Sequence, residues 1–350
     1  MKARWLLLGG LLALGAAQGI AWLAAPQREA AGLTAVPPGE FAGTLLLGGF
    51  RGLACDLLWL RAVNAKDAGR YYESVALTEA ITRVQPRFLD VWQHLAHDLA
   101  YNIGFHADGA EQRYAWFVAG VRANIRGIVR NPESERLLRH LAWMFHHKGD
   151  QFHRQIEAHD WAREINPLLA TVRALTGDRQ AAADLPPGPG HSNFAIAHRL
   201  YTAAIALGEH AKRRGTGRVP AFVRRMVAHT LDADGNRLRN RGEHWLAVQR
   251  WLDACEVWDE VTRWMHAVDD DAQEMQARRN AEIVVTRNEG RVRRKAAELV
   301  YALAPEATAA SLAAAAILER RWGEARQLLA QPGWKRTAGQ VGQVVWLDEP

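Results

Sequence analysis

This sequence is poor in cysteine and lysine, and beyond its first residues it has no long hydrophobic run. Its two cysteines, Cys55 and Cys255, lie far apart and in no metal-ligand spacing, which excludes a disulfide-stapled framework and a cysteine zinc site. Each reads as a small apolar side chain on a helix face. One disulfide between them is the other reading, open to an exported chain. Motifs for nucleophiles, phosphates and metals are missing too. There is no G-x-S-x-G, S-x-x-K, P-loop or G-x-G-x-x-G, and no H-E-x-x-H or C-x-x-C. These absences argue against an enzyme of those classes, and no cofactor is expected.

What is present is ordinary for a folded chain. The 350 residues suggest two globular units or one extended array, at roughly 100–200 residues per domain. An apolar fraction of 49% is enough to bury a core. The formal charge of +6, carried mostly by arginine, favours acidic partners but is too mild to indicate nucleic-acid binding.

The compartment is read from the N-terminus. Lys2 and Arg4 precede an uncharged stretch over 5–25, and about 20 apolar residues suffice to cross a bilayer. Trp5 and Trp22 sit near its ends, where amphipathic rings favour the headgroup level. Residues 1–28 therefore read as a signal anchor in the cytoplasmic membrane. The positive flank stays inside, and the rest of the chain lies on the outer, periplasmic side. A cleaved signal peptide ending at Gly15-Ala16-Ala17 is the competing reading, but the apolar stretch continues well past that point.

Residues 29–40 form a linker broken by Pro37-Pro38-Gly39. Helical patterns then succeed one another over 45–83 (interrupted at Ala68-Gly69), 88–103 and 114–129, with a polar insertion at 106–111. They continue over 137–147, with Gly149 as a breaker, and over 151–165, ending at Asn166-Pro167. A Pro/Gly linker covers 177–192, and helices follow over 194–214, 219–238, 243–281 and 293–304. On the third of these, Val248, Trp251, Cys255, Trp258, Thr262 and Met265 recur at steps of three and four. That stripe is a packing face, with a coiled-coil seam as the alternative.

The recurring frame resembles the tetratricopeptide repeat family. Trp92-x2-Leu95-Ala96-x2-Leu99 begins six residues after Pro86, and Leu138-x2-Leu141-Ala142-x2-Phe145 begins six residues after Pro132. Leu58-x2-Arg61-Ala62-x2-Ala65 keeps the frame loosely, with Arg61 where the family prefers Leu. A degenerate copy over 307–332 carries Leu312-Ala313-x2-Ala316, Trp322, Ala325 and Leu329. The resemblance implies an all-α solenoid over 41–176, with a C-terminal helical region over 193–350. It also implies that first helices line a peptide-holding groove. That groove would carry Trp59, Val63 and Lys66, then Gln93, His97 and Tyr101, then Arg139, Trp143, His146 and His147. Such rings and cations suit an acidic or aromatic-bearing segment. Either the groove is open, or the chain's own C-terminal half covers it.

Other candidates are weaker. His94, His97 and Asp98, and His140, His146 and His147, have helical spacing without a metal motif. The clusters Lys212-Arg213-Arg214 with Arg218, Arg224-Arg225, Arg237-Arg239-Arg241 and Arg291-Arg293-Arg294-Lys295 read as solvated helix ends, or as contacts to anionic lipid. Asp269-Asp270-Asp271 reads as a solvated loop. Asp232-x-Asp234-Gly235-Asn236 has the start of a calcium loop but lacks its closing Glu. The expectation is a membrane-anchored scaffold that docks a protein partner in a cell-envelope assembly or secretion process, without metal or nucleic acid. A cell-envelope enzyme with a histidine-based metal or acid–base site is the alternative.

Overall fold

A computed structural model of the protein describes residues 50–215, 221–266, 272–304 and 308–331. The proposed anchor over 1–28, the linker over 29–40, Arg218 and Asp269-Asp270-Asp271 lie outside the described residues. Within them every regular element is helical, so the all-α expectation holds. No described helix is long and apolar enough to cross a membrane. The chain divides into two compact units between Asn131 and Pro132.

The first unit contains two helix hairpins. Helix α1 (Phe50–Asp67) turns at Gly69, whose φ of 73° only glycine adopts without strain, into α2 (Tyr71–Val84). Helix α3 (Leu89–His97) widens into a π-helical stretch over Asp98–Ile103 and ends at His106. Helix α4 (Gly109–Arg130) packs back on it. The frame residues do what their sizes suggest: Trp92, Leu95, Ala96 and Leu99 are all buried, and the Trp92 indole donates to the Pro86 carbonyl at 2.8 Å. Two glycines of α4 allow the close approach. A Cβ at Gly120 would lie 2.6 Å from the Ala96 carbonyl oxygen, and one at Gly127 would lie 2.8 Å from the Trp92 ring. The expected polar insertion is not a loop. Only Ala107 and Asp108 break the helices, and the extra residues lengthen α3 and α4.

The second unit is an array of helices that pack in chain order from residue 193 onward. Helix α5 (Glu135–Trp143) passes through a π-helical stretch over Met144–Lys148 and a 3-10 turn over Gly149–Phe152 into α6 (His153–Ala158). Gly149 therefore breaks nothing. It is buried in helical geometry, and a Cβ there would meet Ile156 at 3.0 Å and Asn193 at 3.1 Å. The backbone leaves helical geometry three residues later, at Phe152 (φ −125°, ψ 24°), and again at His159-Asp160, before α7 (Ala162–Thr176). Pro167 lies inside α7, unlike Pro86 and Pro132, which lie in turns between helices, and it forfeits one intrahelical hydrogen bond there.

Then follow α8 (Asn193–Arg213), α9 (Ala221–Asn240), α10 (His244–His266), α11 (Ala272–Leu303), α12 (Thr308–Leu318) and α13 (Trp322–Leu329). Each packs on the next. The stripe on α10 is core: Val248, Trp251, Cys255 and Trp258 are all fully buried. The single helix expected over 243–281 and the short one over 293–304 are instead α10 and the long α11. These lie antiparallel, with His266 near Glu282 and Trp251 clustered with Val292 and Ala296. Glu289, in the middle of the buried face of α11, disguised its periodicity. The copy over 307–332 is a helix pair, with Ala313, Ala316 and Ala325 buried between α12 and α13. Neither cysteine forms a disulfide, and both are buried. Cys55 packs with Ile81 and Val91, and Cys255 lies in the larger core of the second unit.

Candidate functional site

In the first unit, side chains of α1 and α3 meet. Lys66 reaches from α1 to Asp98, at 2.8 Å. Asp98 is buried, with His94 Nε2 at 3.0 Å in a skewed approach and the Asn102 amide donating to it as well. Burial alone would raise the Asp98 pKa, but the His94 and Lys66 contacts outweigh it and hold the carboxyl below its ordinary value. Lys66, expected as a groove cation, is thus committed to an internal charge cluster. Trp59 covers that cluster, its ring 4.8 Å from His94. Val63 and Gln93 are half-buried. His97 and Tyr101 stack flat, with centroids 4.5 Å apart and planes 5° apart.

In the second unit the four expected residues separate. Trp143 and His147 stack flat at 5.0 Å and 6°, and His140 lies against the same indole at 5.9 Å. His147 is exposed and Trp143 half-buried. Arg139 turns toward α9, with its guanidinium 5.2 Å from the Phe222 ring and 3.3 Å from Glu135. Burial pushes the Glu135 carboxyl up despite that guanidinium. His146 turns toward α8, edge-on to Phe194 and Tyr201. Burial, with His229 and His147 nearby, lowers its pKa to about 4. So Arg139 and His146 face the chain's own later helices, while Trp143 and His147 are left at the surface.

The two ring stacks occupy matching places. His97 and Tyr101 lie five and nine residues after Trp92, and Trp143 and His147 lie five and nine after Leu138. His94 and His140 also match, each two residues into the frame. Both stacks straddle the entry to a π-helical stretch beginning six residues into the frame, at Asp98 and at Met144. In an α-helix residues four apart are about 40° out of register. The wider turn reduces rotation per residue and brings the two rings closer to eclipsed. Sequence spacing reveals the ring pairs, but the π-helical stretches that align them leave no residue-type signal.

The remaining candidates resolve into structure. Among the described residues no group of three or more His, Cys, Asp or Glu side chains is placed to hold a metal ion. Asp232 and Asp234 lie inside helix α9, not in a calcium loop, and Gly235 is there because a Cβ would meet Trp251 at 2.5 Å. Asp232 pairs with Lys295 at 2.7 Å, and Asp234 accepts from Ser192 at 2.8 Å and Arg237 at 3.0 Å. Buried Glu289 is held by Arg293 and Arg320, each at 2.9 Å. Arg237 and Arg241 share Glu157, at 2.7 and 2.9 Å. Arg237, Arg241, Arg293 and Lys295 therefore neutralise the unit's own carboxylates, whereas Lys212 and Arg213 form the exposed basic end of α8, as expected. The sequence matches no protein-family model and no curated protein.

Proposed function

We propose that this chain is a membrane-anchored scaffold of tetratricopeptide-like helix pairs. It holds a protein or peptide partner in the cell envelope, as part of an assembly or secretion process. The observation that carries this reading is the repeated ledge: a flat imidazole–aromatic stack at the same place on two first helices, beside a π-helical stretch in both. None of the four rings is fully buried, so core packing alone does not call for the matched stacks, and π-helical insertions concentrate at functional sites. A rigid ring face with an imidazole edge suits an acidic or aromatic-bearing segment, through cation–π and hydrogen-bond contacts. The apolar stretch over 5–25 behind Lys2 and Arg4 supports a single-pass anchor with the helical units on the outer side.

The test is capture from detergent-solubilised envelopes by the full chain, beside the same chain with Tyr101→Ala and His147→Ala. A partner that the first retains and the second loses supports the ledges as its seat. A partner retained equally by both places the binding surface elsewhere.

A further inference from the structure

Residues 177–192 contain no helix, yet part of this segment is held as a bound peptide would be. One side chain of α7 grips the backbone of Leu185 at both polar groups. The Asn166 carbonyl oxygen accepts from the Leu185 N–H at 2.9 Å, and the Asn166 amide donates to the Leu185 carbonyl at 2.9 Å. Two turns along the same face, Arg173 forks onto the Asp184 carboxylate at 2.7 and 3.2 Å and also donates to the Ala182 carbonyl. In the other direction Asp160 accepts from the Gly188 N–H at 3.2 Å, and the Glu157 carbonyl accepts from the Gly190 N–H at 2.7 Å.

The segment thus runs antiparallel to the helices and is read every few residues. Leu185 is its buried anchor, at 4% exposure. Pro186, Pro187 and Pro189 have no N–H to satisfy, and Gly188 and Gly190, with φ of 99° and 108°, let the chain bend between and after them. Between the helix and the segment an open cavity of about 700 Å³ remains, lined by Arg163, Asn166 and Arg173 on one side and Asp184 and Pro187 on the other.

We propose that the Asn166–Arg173 face of α7 is a recognition surface for a proline- and glycine-rich segment with an acidic residue just before an apolar one. The chain's own 182–190 occupies it as a tethered self-ligand that a partner segment of the same chemistry displaces. Main-chain hydrogen bonds hold such a segment whatever its sequence, and the charge fork and the apolar anchor select among sequences. This surface is separate from the ring ledges, so its failure would leave that reading standing.

The probe is a fluorescent peptide of residues 181–190, Ala-Ala-Ala-Asp-Leu-Pro-Pro-Gly-Pro-Gly. The tethered segment competes at roughly millimolar effective concentration. The full chain with Asp184→Gly and Leu185→Gly should therefore bind the peptide at least about tenfold more tightly than the unaltered chain. Adding Asn166→Ala or Arg173→Ala should abolish the gain. Equal or absent binding to the folded variant, with peptide up to about millimolar, overturns the proposal. Should that variant fail to fold, amide exchange of Leu185 and Gly188 in the unaltered chain decides. Saturating peptide must speed it, and unchanged exchange overturns the proposal equally.

Discussion

Three histidines of the second unit are held largely out of water in their neutral form. Burial lowers the pKa of His198 to about 4, against a weak bond to the Val227 carbonyl at 3.4 Å, and burial lowers that of His146 to about 4 and depresses that of His229. An unfolded histidine takes up a proton near its ordinary value of 6.5, while the folded one resists until about 4. Stability is therefore full above 6.5, falls as pH drops toward 4, and levels off below that. For His198 the loss is on the order of 3 kcal/mol. Denaturant midpoints followed by tryptophan fluorescence should fall across that window, and His198→Leu should flatten the fall. A midpoint independent of pH there would contradict the burial. Asp98 acts lower on the scale. Its depressed carboxyl contributes stability above its ordinary 3.8 that is lost as pH falls through the folded value.

At the scale of elements, three close helix contacts depend on glycine. Gly120→Ala would press a methyl onto the Ala96 backbone carbonyl, and Gly127→Ala and Gly235→Ala would press one onto the Trp92 and Trp251 rings. Overpacking of this kind costs about 1–3 kcal/mol, and Gly120→Ala should lie at the high end because backbone cannot rotate away. Gly290→Ala, in helical geometry with nothing within 4 Å, should stabilise by about 0.5–1 kcal/mol. Thermal melts of the four variants would show the order, and equal shifts would refute the packing account.

The same contrast explains what the sequence revealed. Frame residues Trp92, Leu95, Leu138 and Leu141 announced buried helix faces because size and spacing agreed. Gly149 misled because glycine serves both as breaker and as contact residue. Pro167 misled because a proline early in a helix looks like one after its end. Buried Glu289 and its arginine partners hid the face of α11, since charge in a core cancels an apolar pattern.

For the molecule as a whole, the helix-pair organisation was legible from repeated frames and closing prolines. The residues expected to line a groove were legible only as a set of positions. Trp59 and Lys66 serve an internal cluster around Asp98, and Arg139 and His146 turn to later helices, because partners distant in sequence decide where a long side chain points. The anchor has its own test: the full chain should stay with membranes through an alkaline wash, and a chain starting at residue 30 should not. Release of both would remove the anchor from the account.

The scaffold itself is tested most directly by site-specific photo-crosslinking in intact envelopes, from a photoreactive residue at Tyr101, at His147 or, as a control, at Arg83 on the exposed face of α2, where 79% of the side chain is accessible. The account predicts an adduct with the same protein from both ledge positions and none from Arg83. Adducts that do not distinguish the ledges from Arg83, or none from either ledge, would contradict it.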